Sequence, residues 1–448
     1  MKRTVLTLAS LSLLFAPACG GDGGNAGTPD ATNDPFTITG DITADTTWTT
    51  GNTYTLTTNI FVHNATLTIE PDVTIVGDAG SSLVITNTAK IMAEGTASQP
   101  IVMTSSKAAG SRVAGDWGGL ILLGKAPINV TGGTDNIEGF PAGTPGTEFG
   151  GSDPTHNCGT VKYVRIEFAG FELSTDNELN GLTVGACGSD TVIDYLQVHK
   201  GADDAVEFFG GTASITHAVL TQCDDDGLDW DFGWSGKAQF IVIQQSAITG
   251  NHGFEADNNV NSNDATPRSS PEIWNATLIG SDADPGSASK TQGGMMLRRG
   301  TAGMINNTIV EYFADWAVDV ADYSTVLQAT ASTPTLAIQN SYFYQNANDV
   351  NNGWPTGFDE DQGVQDDCDS NDANCFDEAA HFMMAAYNNT FADPSLGDPK
   401  NLTAPNFAPT SPLTGGGTPS AGFDTSATFV GAIGSEDWTT GWTAYPAN

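Results

Sequence analysis

Between residues 180 and 320 one short hydrophobic pattern recurs six times. Gly181-Leu-Thr-Val, Ala205-Val-Glu-Phe, Gly227-Leu-Asp-Trp, Gly253-Phe-Glu-Ala, Gly294-Met-Met-Leu and Ala317-Val-Asp-Val each place a small residue before alternating positions. The intervals between them are 24, 22, 26, 41 and 23 residues. A period in the twenties is too short for a folding domain and suits one coil of a solenoid, which buries its apolar face only against its neighbours. Period-2 alternation makes each unit a strand. The pattern predicts a parallel β-helix in which Glu207, Asp229, Glu255 and Asp319 form an outward column that Met296 interrupts.

Earlier coils begin near residue 54. Tyr54-Thr-Leu, Ala65-Thr-Leu-Thr-Ile, Val73-Thr-Ile-Val, Ser82-Leu-Val-Ile and Ala89-Lys-Ile-Met-Ala are short alternating strands, separated by turn residues such as Pro71-Asp72 and Gly77-Asp78. The segments Ile69-Glu-Pro-Asp-Val-Thr-Ile, Ile91-Met-Ala-Glu-Gly-Thr, Pro100-Ile-Val-Met-Thr-Ser and Asp116-Trp-Gly-Gly-Leu-Ile-Leu-Leu-Gly resemble a large family of bacterial surface β-helix proteins. That family is similar to the pectin-lyase-like superfamily. The C-terminal Phe429-Val-Gly-Ala and Asp437-Trp-Thr-Thr-Gly-Trp-Thr resemble the end of the same family. The resemblance implies an all-β chain folded as a single-stranded right-handed parallel β-helix. It implies little about chemistry, because such folds host many functions.

Breaks in the period mark excursions and a cap. Residues 128–160 are rich in Gly, Pro and Thr, and 258–270 and 280–292 flank the strand that starts at Glu272. Long excursions on one face of a solenoid commonly build a binding wall. The division expected is a β-helix over 37–345, an acidic excursion over 346–375, and a cap helix with a tail over 376–448. The helix is expected at 376–387, covering the open edges of the last coil.

Charge adds a second constraint. The chain carries 15 basic and 53 acidic residues, a formal charge of −38. Such a surface repels nucleic acid and attracts divalent cations. Residues 1–19 combine Lys2 and Arg3 with a short apolar run ending at Cys19, too short to span a bilayer. They resemble a bacterial lipoprotein signal with Cys19 as the lipidated residue. Residues 20–36 follow as a Gly/Asp/Asn-rich tether. The resemblance implies a lipid anchor in the outer membrane, with Gly20 after the cysteine. Cys158, Cys187, Cys223, Cys368 and Cys375 remain. An exported chain permits disulfides. Cys368 and Cys375 would close a small loop, Cys158 and Cys187 stand about one coil apart, and Cys223 is then the odd one.

The candidate chemistry is concentrated between residues 200 and 257. In register, Asp204, Asp226 and His252 share one column, and Glu207, Asp229 and Glu255 share another. Coils about 4.8 Å apart make stacked carboxylates repel, so protons or cations must intervene. Calcium is the natural bridge, with Asp225, Asp226 and Asp229 as ligands. A lyase would add a basic residue, for which Arg298, Arg299, Lys200 and Lys237 are candidates; Asp226 and His252 complete the candidate catalytic set. A hydrolase would use two carboxylates. The order Asp203-Asp204, Asp225-Asp226, His252-Gly253, Arg298-Arg299 resembles that of the polygalacturonase family. It lacks the Asn-x-Asp at 201–204 and the Arg-x-Lys after His-Gly. Neighbouring aromatics, Trp234 above all, are candidates for stacking on sugar rings beside Asp204, Glu207, Asp229 and Glu255. A second calcium loop is expected at Asp367, Asp369 and Asn371, between Cys368 and Cys375, although a full EF-hand is absent.

These features together predict a lipid-anchored surface protein for calcium-stabilised adhesion or binding of an extracellular glycan or surface polymer. A polysaccharide lyase or glycoside hydrolase acting on an acidic glycan is the alternative. A passive structural role is the third.

Overall fold

The computed structural model describes residues 36–448 apart from 142, 172–178, 247–248, 282–291 and 347–375. The signal segment, Cys19, the tether to residue 35, and the Asp367, Cys368, Asp369, Asn371 and Cys375 loop lie outside the described residues. So does most of the 280–292 excursion.

The described chain coils as a parallel β-helix. A narrow nine-stranded sheet is wholly parallel and runs from Ile60–Val62 to Trp316–Val320. Its middle strands are Leu182–Gly185, Val206–Phe209, Leu228–Asp231, His252–Ala256 and Gly293–Leu297, paired in that order. A 17-stranded sheet forms the other two walls. In the middle coils those two walls are single bent strands, such as Val192–His199, Ser214–Thr221 and Lys237–Gln244.

One left-handed residue per coil makes that bend. Tyr163, Tyr195, His217, Phe240, Asn275, Asn307 and Asn340 all have φ between 50° and 60°. The register brings each beside its equivalent on the next coil. Asn tolerates this conformation at little cost, but aromatic residues do not. Stacking offsets part of that cost: the Tyr163–Tyr195, Tyr195–His217 and His217–Phe240 ring centroids lie 4.3, 4.2 and 4.8 Å apart.

Inside the bore, like residues stack on like. Leu182, Val206, Leu228, Phe254, Met295 and Val318 form one fully buried column, matching the alternation read from the repeats. Each such side chain contributes roughly 1.5–3 kcal/mol on burial. A disulfide joins Cys158 to Cys187. Beside it Gly159, at φ +119°, passes so close to the preceding coil that a Cβ would lie 1.8 Å from the Ile91 carbonyl oxygen. Cys223 is free and buried, and burial pushes its thiol up to about 12.

The cap is smaller than its sequence suggests. The helix expected at 376–387 spans only Glu378–Phe382, with Asp377 accepting from the Ala380 N–H as N-cap. Phe376 and Phe382 complete the end of the core. A second helix, Tyr323–Thr330, follows the last narrow strand. It lacks the apolar stripe that would have announced it.

The C-terminal segment runs back along the coils and is held by amide side chains. Gln244 donates to the carbonyls of Pro399 and Asn401 at 2.7 and 3.1 Å. Gln239 exchanges two bonds with Asp424, Asn307 two with Gly417, and Gln197 two with Ala444. Each of these amides reads a backbone as a neighbouring strand would. Trp438 and Trp442 meet the aromatic column edge-on. Asn275 is fully buried, donates to the Ala427 and Phe429 carbonyls and accepts from Gln239. Asn275→Ala is therefore expected to cost about 2–4 kcal/mol in urea unfolding. A loss below about 0.5 kcal/mol, the usual range for a surface site, would show that the segment is not held there.

Candidate functional site

The outer face of the narrow sheet changes character along its length. One column runs Phe61, Val84, Ile121, Thr183, Glu207, Asp229, Glu255, Met296, Asp319. Its first part is apolar and its second part acidic. The next outward column adds Leu123, Phe209 and Asp231, and the Asp257 and Arg298 that follow in sequence and register. The 128–160 excursion lies over this face. Ile128, Ile137, Phe140 and Phe149 form a second apolar cluster with Phe61, Val84, Ile121, Leu123 and Phe209. Asn129 ties the excursion to the coil beyond, donating to Asn258 Oδ1 at 2.8 Å and accepting from Asn259 at 2.9 Å.

That cover determines the electrostatics. The column expected to face solvent does point away from the bore, but Glu207 is only 8 % exposed and Asp204 6 %. Burial lifts the carboxyls of Asp204, Glu207, Asp229 and Asp231 well above the usual range, and the surrounding carboxylates lift them further. Among those surroundings are Asp135 and Glu138 of the excursion itself.

One coil further the acids have counter-charges. Arg298 pairs with Glu255 and, at 2.9 Å, with Asp257; Arg299 reaches Asp257 at 2.5 Å. His252 Nδ1 lies 3.0 Å from Asp226 and 3.2 Å from Glu255, close enough for charge and hydrogen bonding together to couple the three groups. Burial opposes the imidazolium, yet Asp226 and Glu255 raise His252 to about 10. Burial also opposes ionisation of Glu255, but His252 and Arg298 outweigh it and hold that carboxyl below its ordinary range. Burial raises Asp226 to about 7 against the pull of His252.

Two groups of this face differ in their fit to a metal. Asp204, Glu207 and Asp229 offer ligand atoms within 4.8 Å of one another, all oxygens. Beside them Asn180 is fully buried; its amide nitrogen donates to Glu207 at 2.6 Å, and its Oδ1 has no partner. Asp229 Oδ1 and Asp231 Oδ1 are also buried without partners. Orphaned buried oxygens around an oxygen-only set suit calcium. Asp226, His252 and Glu255 are equally close, but a protonated imidazole already compensates the two carboxylates. Asp226 Oδ1 is engaged by the His252 backbone N–H, and Asp204 Oδ1 by that of Asp226. Asp225 joins Asp203 and Asp204 in a third close group.

The structure thus gathers Asp204, Glu207, Asp226, Asp229, His252, Glu255, Arg298 and Arg299 on one face. It removes Trp234 from them. Trp234 is fully buried in the bore, stacked on Phe208 at 4.3 Å and donating to the Ala213 carbonyl, so it cannot meet a sugar. Phe208, Trp230 and Phe254 are core residues as well. Asp231 and Asp257 belong to the face, and their signal was present: each follows an outward acid by two residues. Asn180 and Glu138 carry no such signal.

Residues 40–388 match the family described as "Pectate-lyase like beta helix domain". No curated protein and no solved structure matches the chain.

Two outcomes follow from the electrostatics. Carboxyls raised by burial favour the protonated folded state, so their contribution is complete below the unfolded pKa of about 4 and is lost as pH rises. His252, raised by its partners, acts in the same direction above about 6.5. With divalent cations chelated, the melting temperature should therefore fall from about pH 4 to pH 8. A rise over that interval would contradict the burial described. Arg298→Ala leaves Glu255 and Asp257 buried without their main counter-charge. It should cost about 3–5 kcal/mol in chemical denaturation.

Proposed function

The chain belongs to the pectate-lyase-like β-helix family, and from that premise we propose that it is a calcium-stabilised binding module for adhesion or glycan attachment at the cell surface. One observation supports this reading above others. Asp204, Glu207 and Asp229 form an oxygen-lined, largely buried cluster beside the excursion, with orphaned oxygens at Asn180, Asp229 and Asp231. A cation there stabilises the folded chain. Asn180, Asp204, Glu207 and Asp229 would hold it, and it would neutralise carboxylates that otherwise repel across coils. The excursion fixed by that cluster then presents the outer surface to a glycan or surface polymer. A lipid anchor at Cys19, in the outer membrane, is part of the same proposal.

The second reading is a lyase or hydrolase acting on an acidic polysaccharide. Its specific support is the cluster of Arg298, Arg299, Asp257, Glu255 and His252. Two features weigh against it. Arg298 is locked between carboxylates, which hold its guanidinium charged despite burial, so it is no proton acceptor. Asp226 and His252 are 3 % exposed, leaving little room for a sugar beside them.

The test uses the chain from residue 37 onward with a panel of acidic and neutral polysaccharides, in calcium and in chelator. New unsaturated ends, new reducing ends and retained polymer are measured together. Calcium-dependent retention without new ends supports the binding module. Calcium-dependent cleavage that disappears in the Arg298→Ala/Arg299→Ala variant would replace it with the enzyme. Neither retention nor cleavage, with chelator lowering the melting temperature, would leave a structural role.

A further inference from the structure

Away from the acidic face, a cavity of about 400 Å³ opens where the C-terminal segment meets the coils. Its walls include Arg112, Val113, Lys200, Gln222, Leu402 and Ala447. Three observations converge on it. The first is charge. In a chain of net charge −38, several described cations are held by carboxylates, as Lys107 is by Asp116, Lys162 by Asp194 and Arg298 by Asp257. Arg112 and Lys200 form no such pair among the described residues. Arg112 donates to the Lys107 carbonyl and the Thr104 hydroxyl, and Lys200 to the Ala447 carbonyl at 2.5 Å.

The second is exposed apolar surface. Val113 is 56 % and Leu402 40 % exposed, among the few large apolar side chains left open in the described chain. Both line this cavity, with Ala114 and Ala447 beside them. The third is rigidity. Gln222 fixes the Leu402 carbonyl at 2.9 Å, His199 the Pro446 carbonyl at 3.0 Å, and the Gly110 N–H the Asn448 carbonyl at 3.0 Å. The walls are held before any ligand arrives, which lowers the ordering cost of binding. Asp224 also lines the cavity, and its carboxylate accepts from the Thr249 hydroxyl. Asp224 acts on Lys200 by charge as well, so an anion would settle closest to Arg112, with Lys200 beside it.

We propose that this cavity binds a small carboxylate-bearing molecule with an apolar body, its carboxylate on Arg112 and Lys200 and its body against Val113 and Leu402. A sugar would leave its hydroxyls against these apolar walls, so the site is distinct from the glycan surface proposed above. It also does not depend on calcium. A volume of this size accommodates a molecule of medium length such as hexanoate.

The experiment titrates hexanoate and 1-hexanol into the chain from residue 37 onward, in chelator and in calcium, by ligand-observed NMR. Saturable hexanoate binding is expected in both media, with hexanol at least about tenfold weaker, the worth of one charge-assisted hydrogen bond. Lys200 also secures the C-terminal segment, so Arg112→Gln is the decisive variant. It should weaken hexanoate about tenfold with an unchanged melting temperature. Arg112→Lys should retain most of the binding. Equal affinity for hexanol, unaltered binding in Arg112→Gln, or no saturable binding at millimolar hexanoate would each overturn the proposal. Because the readout is the same in chelator, its failure is separable from failure of the calcium-stabilised module.

Discussion

The constraint from which the rest follows is register. Parallel coils place each residue beside its equivalent one coil away, about 4.8 Å distant. For Leu182, Val206, Leu228 and Phe254 this is favourable, because apolar side chains fill a continuous bore. For Tyr163, Tyr195 and His217 it gives ring stacking that offsets strained backbones. For Glu207, Asp229 and Glu255 it places like charges together, and something else must compensate them. Met296 ends that problem on one side by setting an apolar residue between Glu255 and Asp319.

Two long segments then cover the coil from outside, by different chemistry. The 128–160 excursion adds an apolar layer and an Asn129–Asn258 tie, and so shields part of the acid columns from water, Glu207 most completely. That cover turns repulsion between coils into raised carboxyls and a demand for cations. The C-terminal segment instead docks through amides and tryptophans on the opposite walls, where Gln197, Gln239 and Asn307 pair with its backbone. This chain gains its individuality from these two covers. One makes an internal polar cluster, and the other makes an amphiphilic cavity at its edge.

Much of this was legible beforehand at particular residues. The six repeated units lie in the narrow sheet at the expected register, and Asp204, Asp226 and His252 do stack. Trp234 was misleading because its neighbour-by-neighbour context looks like that of a binding aromatic, while a turn sends it into the bore beneath Phe208. The bends at Tyr163, Tyr195 and Phe240 were illegible, because Tyr and Phe rarely take positive φ, and here they do so within a stacked column. The contacts of Gln197, Gln239 and Gln244 reach residues 155 to 247 positions away, beyond any local pattern.

The sequence by itself determined the coil, its strand positions and the alignment of acids on one outward face. Those are consequences of a period of two within strands and a period in the twenties between them, and both are written locally. Only the tertiary structure decided that Asp204, Glu207 and Asp226 are buried and Asp229 and Glu255 largely shielded, that His252 and Arg298 compensate one part of them, and that Asn180, Asp229 and Asp231 leave oxygens without partners in the other. The reason is that burial of an outward face depends on what folds over it. Here that cover is supplied by residues about a hundred positions distant in the chain, whose placement rests on long-range packing rather than on any repeat.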